Sequence, residues 1–87
     1  MAEEHNPRLL ATILAVVDNQ IRARNPPETK QTLDRLMREG HSRPDARKLI
    51  GQAVVVEVFC AMKYKEEFNL ARYLRNLSNL PTEPSER

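Results

Sequence analysis

From Ser42 to Tyr64 the chain runs without a turn signal and is apolar on nearly every side. Ala46, Leu49, Ile50, Ala53, Val54, Val56, Cys60, Ala61 and Tyr64 follow a helical period, while Val55, Val58 and Phe59 lie off that face. The β-branched run Val54-Val55-Val56 also suits a buried strand. The pattern continues on both sides of it, however, and that continuity favours one long helix. A helix that is apolar all round must be covered on most sides. This requirement predicts a compact all-α bundle with the third helix at its centre, and it points to a homodimer, because three short neighbours leave part of that surface bare.

The flanking sequence supplies about three more helices. Asn6-Pro7 reads as a cap followed by a first-turn proline, ahead of the broad apolar face Leu9, Leu10, Ile13, Leu14, Val16, Val17 and Ile21. This helix should end near Arg24, before Asn25-Pro26-Pro27. Asn25 then reads as the second cap, with Glu28 placed to reach back to it. Leu33, Leu36 and Met37 form a narrow stripe, which predicts a helix lying on the surface and closed by Gly40. Ser42 caps the third helix, with Asp45 at the capping-box position. Asn69 caps the fourth, with Phe68 stapled to Tyr73 and Leu70, Leu74 and Leu77 facing inward. With 87 residues the chain makes one domain, expected over 6–80, with 1–5 and 81–87 as flexible ends.

The sequence holds few groups suited to chemistry. Gln20 and Glu57 fall inside apolar faces, so each is expected to be buried and hydrogen-bonded, with Gln20, Tyr64 or an arginine as partner to Glu57. An unpaired Glu57 would instead be a general acid or base, or a metal ligand, with its pKa raised. No metal and no cofactor are expected. His5 and His41 have no second histidine at helical spacing, and the lone Cys60 sits on an apolar face where an inert thiol is the default. The two glycines form no phosphate-binding loop. Arg35, Arg38, Arg43, Arg47 and Lys48 make a basic patch around the Gly40 turn, with Arg at the start of the following helix as in a helix-turn-helix. Asp34, Glu39 and Asp45 sit among these bases, and a pair such as Asp34–Arg38 explains them as ordinary surface. The net charge is only +2, with 5% aromatic residues and no Trp, which argues against a nucleic-acid partner. The acidic, polar start Met1-Ala2-Glu3-Glu4-His5 does not read as a secretory signal, no segment reads as a membrane span, and a single Cys fits a reducing compartment. The expected location is the cytoplasm.

The run Asn6-Pro7…Gln20, Pro26-Pro27-Glu28…Thr32-Leu33-x-Arg35-Leu36, Glu39-Gly40-His41-Ser42…Asp45-Ala46…Ile50-Gly51 and Glu57, closing with Phe68-Asn69…Tyr73…Leu77, resembles an uncharacterised bacterial family of small all-helical domains. The resemblance covers most of residues 6–80. It implies paired histidines on the first and third helices, at positions that correspond here to Leu10 and Leu14 and to Pro44 and Lys48. None of these four ligates a metal as His does, so of the family's polar set only Gln20 and Glu57 remain. The resemblance therefore supports the fold and weakens a metal or catalytic role.

The function these features predict is a non-enzymatic interaction domain that self-associates through Leu10, Leu14, Val55, Val58 and Phe59. Two alternatives stand beside it: a diverged metal-binding or hydrolase-like domain keeping Glu57 as its carboxylate, and a weak nucleic-acid module using the basic patch.

Overall fold

The computed structural model describes residues 7–86. Four helices follow in order: α1 Pro7–Ala23, α2 Pro27–Arg38, α3 Arg43–Tyr64 and α4 Leu70–Asn79. Among the described residues there is no strand. The Asn6 cap, His5 and the expected flexible start 1–5 lie outside those residues.

α3 packs against α1, α2 and α4 alike, whereas α1 and α4 do not pack directly on one another. The core is built from Ile13, Val17 and Ile21 of α1, Leu33 and Leu36 of α2, Ile50, Ala53 and Val54 of α3, and Tyr73, Leu77 and Leu80 at the end of the chain. α1 and α3 approach closely at Gly51, where a Cβ would stand 3.1 Å from Ile13 Cγ2.

The helix ends show why the boundaries fall where they do. Ser42 Oγ accepts from the Asp45 N–H, and Asn69 Oδ1 accepts from the Arg72 N–H, both as expected. α2 departs from expectation. Its N-cap is Pro26, with no side-chain cap, and not Asn25. A residue before proline is pushed out of the helical region; Pro26, with φ −74° and ψ 150°, obeys this ahead of Pro27, which takes the first helical position. Glu28 is thereby one residue too close to serve in a capping box.

α1 and α2 both close with paired reversed bonds. Asn25 N–H donates to Gln20 O and Arg24 N–H to Ile21 O; His41 N–H donates to Leu36 O and Gly40 N–H to Met37 O. This is the Schellman pattern, which needs a left-handed residue just past the helix. Arg24 (φ 54°) and Gly40 (φ 105°) fill those positions.

Three expected faces are corrected. α2 keeps an exposed outer side at Gln31 and Arg38, but its buried face is wider than the apolar stripe: Leu33 and Leu36 are fully buried, Thr29 and Thr32 complete the inner face, and Met37 points outward. Tyr64 ends α3 half exposed. On α4, Leu70 is half exposed and Leu74 only partly buried; Tyr73, Asn76, Leu77 and Leu80 make the inner stripe, with Arg72 beside it. Two polar anchors on α4, Arg72 and the Tyr73 hydroxyl, set this rotation, because each has a buried partner on another helix.

Candidate interaction surface

Glu57 is 2% exposed, in the middle of α3. Its partner is Arg72, from the α4 turn that Asn69 caps. Arg72 Nε donates to Oε2 at 2.6 Å and Nη2 to Oε1 at 2.9 Å, a two-pronged pair, and the Asn69 N–H donates to Oε1 at 2.8 Å. Burial acts to raise the Glu57 pKa; the Arg72 and Asn69 hydrogen bonds and the Arg72 charge together outweigh it and hold the carboxyl below its ordinary range. Arg72 is shifted up by the same hydrogen bond to Glu57, against burial and with help from Glu66. Both Glu57 oxygens are thus spent on the fold.

Gln20 belongs to a separate cluster. Its Oε1 accepts from the Tyr73 hydroxyl at 2.6 Å and from the Thr29 hydroxyl at 2.8 Å, and Thr29 and Tyr73 oxygens lie 3.3 Å apart. This triad ties α1 to α4 across α2, although the backbones of the two helices stay apart. Burial pushes the Tyr73 phenol up, against its bonds to Thr29 and Gln20, so it remains a donor at neutral pH. Gln20 and Glu57, paired in one sequence reading, do not meet.

The basic patch divides. Arg35 is built into the fold: its guanidinium donates to the Leu77 and Leu80 carbonyls, each at 3.0 Å, and to Glu39. Arg47 makes a two-pronged pair with Asp18 at 2.8 and 2.7 Å. Asp34 pairs with Lys30 and not with Arg38. Arg43 and Arg47 line a cleft of about 480 Å³ with Arg22 and Asp18, whereas Lys48 faces a different one. Cys60 is 1% exposed, and burial pushes its thiol up, away from the reactive thiolate. Among the described residues no three His, Cys, Asp or Glu side chains converge to hold a metal, and no helix is long and apolar enough to cross a membrane.

Of the exposed large apolar residues, four share one side of α3; Leu9, Leu10, Met37, Phe68 and Leu70 are exposed elsewhere. Val55, Val58, Phe59 and Met62 are 44%, 39%, 43% and 73% exposed. Their spacing puts them on one stripe of the helix. Lys63 lies over the Phe59 ring at 5.2 Å, a cation on the rim of the stripe. At Val55 the stripe meets a groove of about 800 Å³ between α1 and α3, lined by Leu10, Leu14, Lys48 and Val56 and walled by Pro81 and Pro84. Leu10 is 36% exposed and Leu14 partly buried. Leu10, Leu14 and Lys48 therefore line one groove, whereas Pro44 lines the arginine cleft.

Sequence reasoning missed Arg72, Thr29 and Asn76, all buried and polar. Arg72 had one signal, its place in the turn capped by Asn69, which faces the long apolar helix. Comparison with family models, with curated proteins and with solved structures finds no match to this chain.

Proposed function

We propose that this protein is a non-enzymatic helical interaction domain that forms a homodimer through the exposed stripe of α3. The observation that carries the reading is Val55, Val58, Phe59 and Met62 standing in water on the helix that is otherwise the centre of the bundle. An isologous contact brings one patch against its own copy about a two-fold axis. Two antiparallel α3 helices meeting near Phe59 set Val55 of one copy beside Met62 of the other, so the stripe complements itself. Four side chains offer only a few hundred Å², less than the roughly 800 Å² a side of a standard interface. The groove wall at Leu10 and Leu14 extends the contact. The engagement of Glu57 by Arg72 and Asn69 supports a structural role for that carboxylate over a catalytic one.

Light scattering tests the reading. At tens of micromolar the wild-type chain is expected at twice its 10.1 kDa mass. Phe59→Glu should return it to a single mass with unchanged helical dichroism, since Phe59 is 43% exposed and its replacement leaves the core intact. A wild-type chain that stays at one mass sinks the proposal.

A further inference from the structure

Asn76 of α4 is 1% exposed, and it spends both ends of its amide on the backbone of one exposed residue. Its Nδ2 donates to the Ser85 carbonyl at 2.9 Å, and its Oδ1 accepts from the Ser85 N–H at 3.0 Å. One turn away, Arg72 Nη1 donates to the Glu86 carbonyl at 3.0 Å. Across the gap the Tyr64 hydroxyl of α3 donates to the Glu86 carboxylate at 3.4 Å. Segment 81–86, expected as part of a flexible end, is thus held along α3 and α4 chiefly by main-chain bonds. Pro84 is its one partly buried residue.

An amide that pairs with both the N–H and the C=O of one residue reads backbone and is indifferent to the side chain. The same logic operates when a peptide adds to a sheet edge: main-chain bonds supply affinity and side-chain contacts supply selectivity. Selectivity here is slight, being a half-buried proline and a carboxylate near Tyr64. Pro81 and Pro84 restrict the backbone of the segment, which lowers the ordering cost of an extended occupant.

We infer that Asn76, Arg72 and Tyr64 form a peptide-binding site for an extended, proline-containing segment with an acidic residue, and that the protein's own segment 81–86 fills it in cis. The cis segment is the template for the ligand, since a free peptide of that sequence makes the same bonds. It is also the competitor, because a short tether gives it an effective concentration in the millimolar range. Asn76, Arg72 and Tyr64 lie outside the α3 stripe, although Pro81 and Pro84 of the segment also wall the groove that meets it.

The test uses the full chain with Ser85→Pro, which removes the N–H that Asn76 accepts and frees the site without touching a buried residue. A fluorescent peptide Pro-Thr-Glu-Pro-Ser-Glu, copying residues 81–86, is titrated by anisotropy. Saturable binding at least tenfold tighter than to wild type is expected, because the wild-type tail competes. The same peptide with an N-methyl group on its serine should lose that binding, since it cannot donate to Asn76. Absence of saturable binding to the folded Ser85→Pro chain at millimolar peptide overturns the inference, as does equal binding of the N-methylated peptide. A wild-type dimer that dissociates on Ser85→Pro, with no binding of the free peptide, would assign the site to a second copy's tail and also overturn it.

Discussion

At the scale of single residues, the decisive fact is that a carboxylate in an apolar helix is matched by one guanidinium from the next helix. Taking two charges out of water costs several kcal/mol each, and good geometry with extra hydrogen bonds repays it. Arg72 and the Asn69 N–H provide both for Glu57. Removing Arg72 leaves the buried Glu57 charge with only the Asn69 N–H, and removing Glu57 leaves buried Arg72 with only Glu66 and the Glu86 carbonyl. Glu57→Gln or Arg72→Met should therefore cost about 3–5 kcal/mol in urea unfolding. Glu57→Leu with Arg72→Met should cost clearly less than the sum of the two single changes, because no lone charge remains. The pH dependence has a definite sign. The Glu57 pKa is depressed in the folded chain, so on acidification the unfolded chain takes up its proton first. The stability from this pair is fully present above about pH 5 and is lost as pH falls through the ordinary Glu value of about 4.3 and below it. Urea midpoints measured from pH 7 to pH 3 should fall on the acid side, and the Glu57 carboxyl carbon should titrate below the ordinary Glu value in an NMR series.

At the scale of helices, what a sequence shows well is what local sterics decide. The Ser42 and Asn69 caps, the Phe68–Tyr73 staple (ring centroids 5.3 Å apart, edge to face) and the exit at Gly40 all follow from short-range chemistry, and all four stand in the structure. The errors arise where tertiary partners choose the face. Leu70 reads as an inner residue by spacing, but the bonds of Arg72 to Glu57 and of Tyr73 to Gln20 rotate α4 away from it. Thr29 lies outside the apolar stripe of α2, but it is buried because Gln20 and Tyr73 satisfy its hydroxyl. Single-helix periodicity carries no information about such cross-helix bonds, so Glu57 was legible as a buried acid while Arg72 as its partner was not. The Gly40 exit offers a clean local test. With φ 105° and nothing within 4 Å of a built Cβ, the site has room for a side chain but the wrong backbone for one. Gly40→Ala should cost about 1 kcal/mol by denaturant midpoint, with an unchanged m-value. An equal or higher midpoint would mean that the α2–α3 turn relaxes to another conformation.

At the scale of the molecule, the question is how a chain this small covers a helix that is apolar nearly all round. α1, α2 and α4 cover the inner side of α3, and segment 81–86 adds a further wall. Val55, Val58, Phe59 and Met62 remain outside every one of these covers. A domain of this size buries a modest fraction of its surface and is marginal alone, so apolar area covered by a second copy forms a large share of its stability. That argument has a thermodynamic signature separate from mass. If unfolding also separates two chains, stability depends on concentration by mass action. A tenfold rise in protein concentration then adds about 1.4 kcal/mol per dimer, or about 0.7 kcal/mol per chain. For a domain of this length that raises Tm by about 3–5 °C. Calorimetry from 10 to 100 µM should show this rise for wild type and a constant Tm for Phe59→Glu. A wild-type Tm that does not move over that range would mean the stripe is bare in the folded protein at those concentrations, and the centre of the bundle would then be stable with one side of α3 left in water.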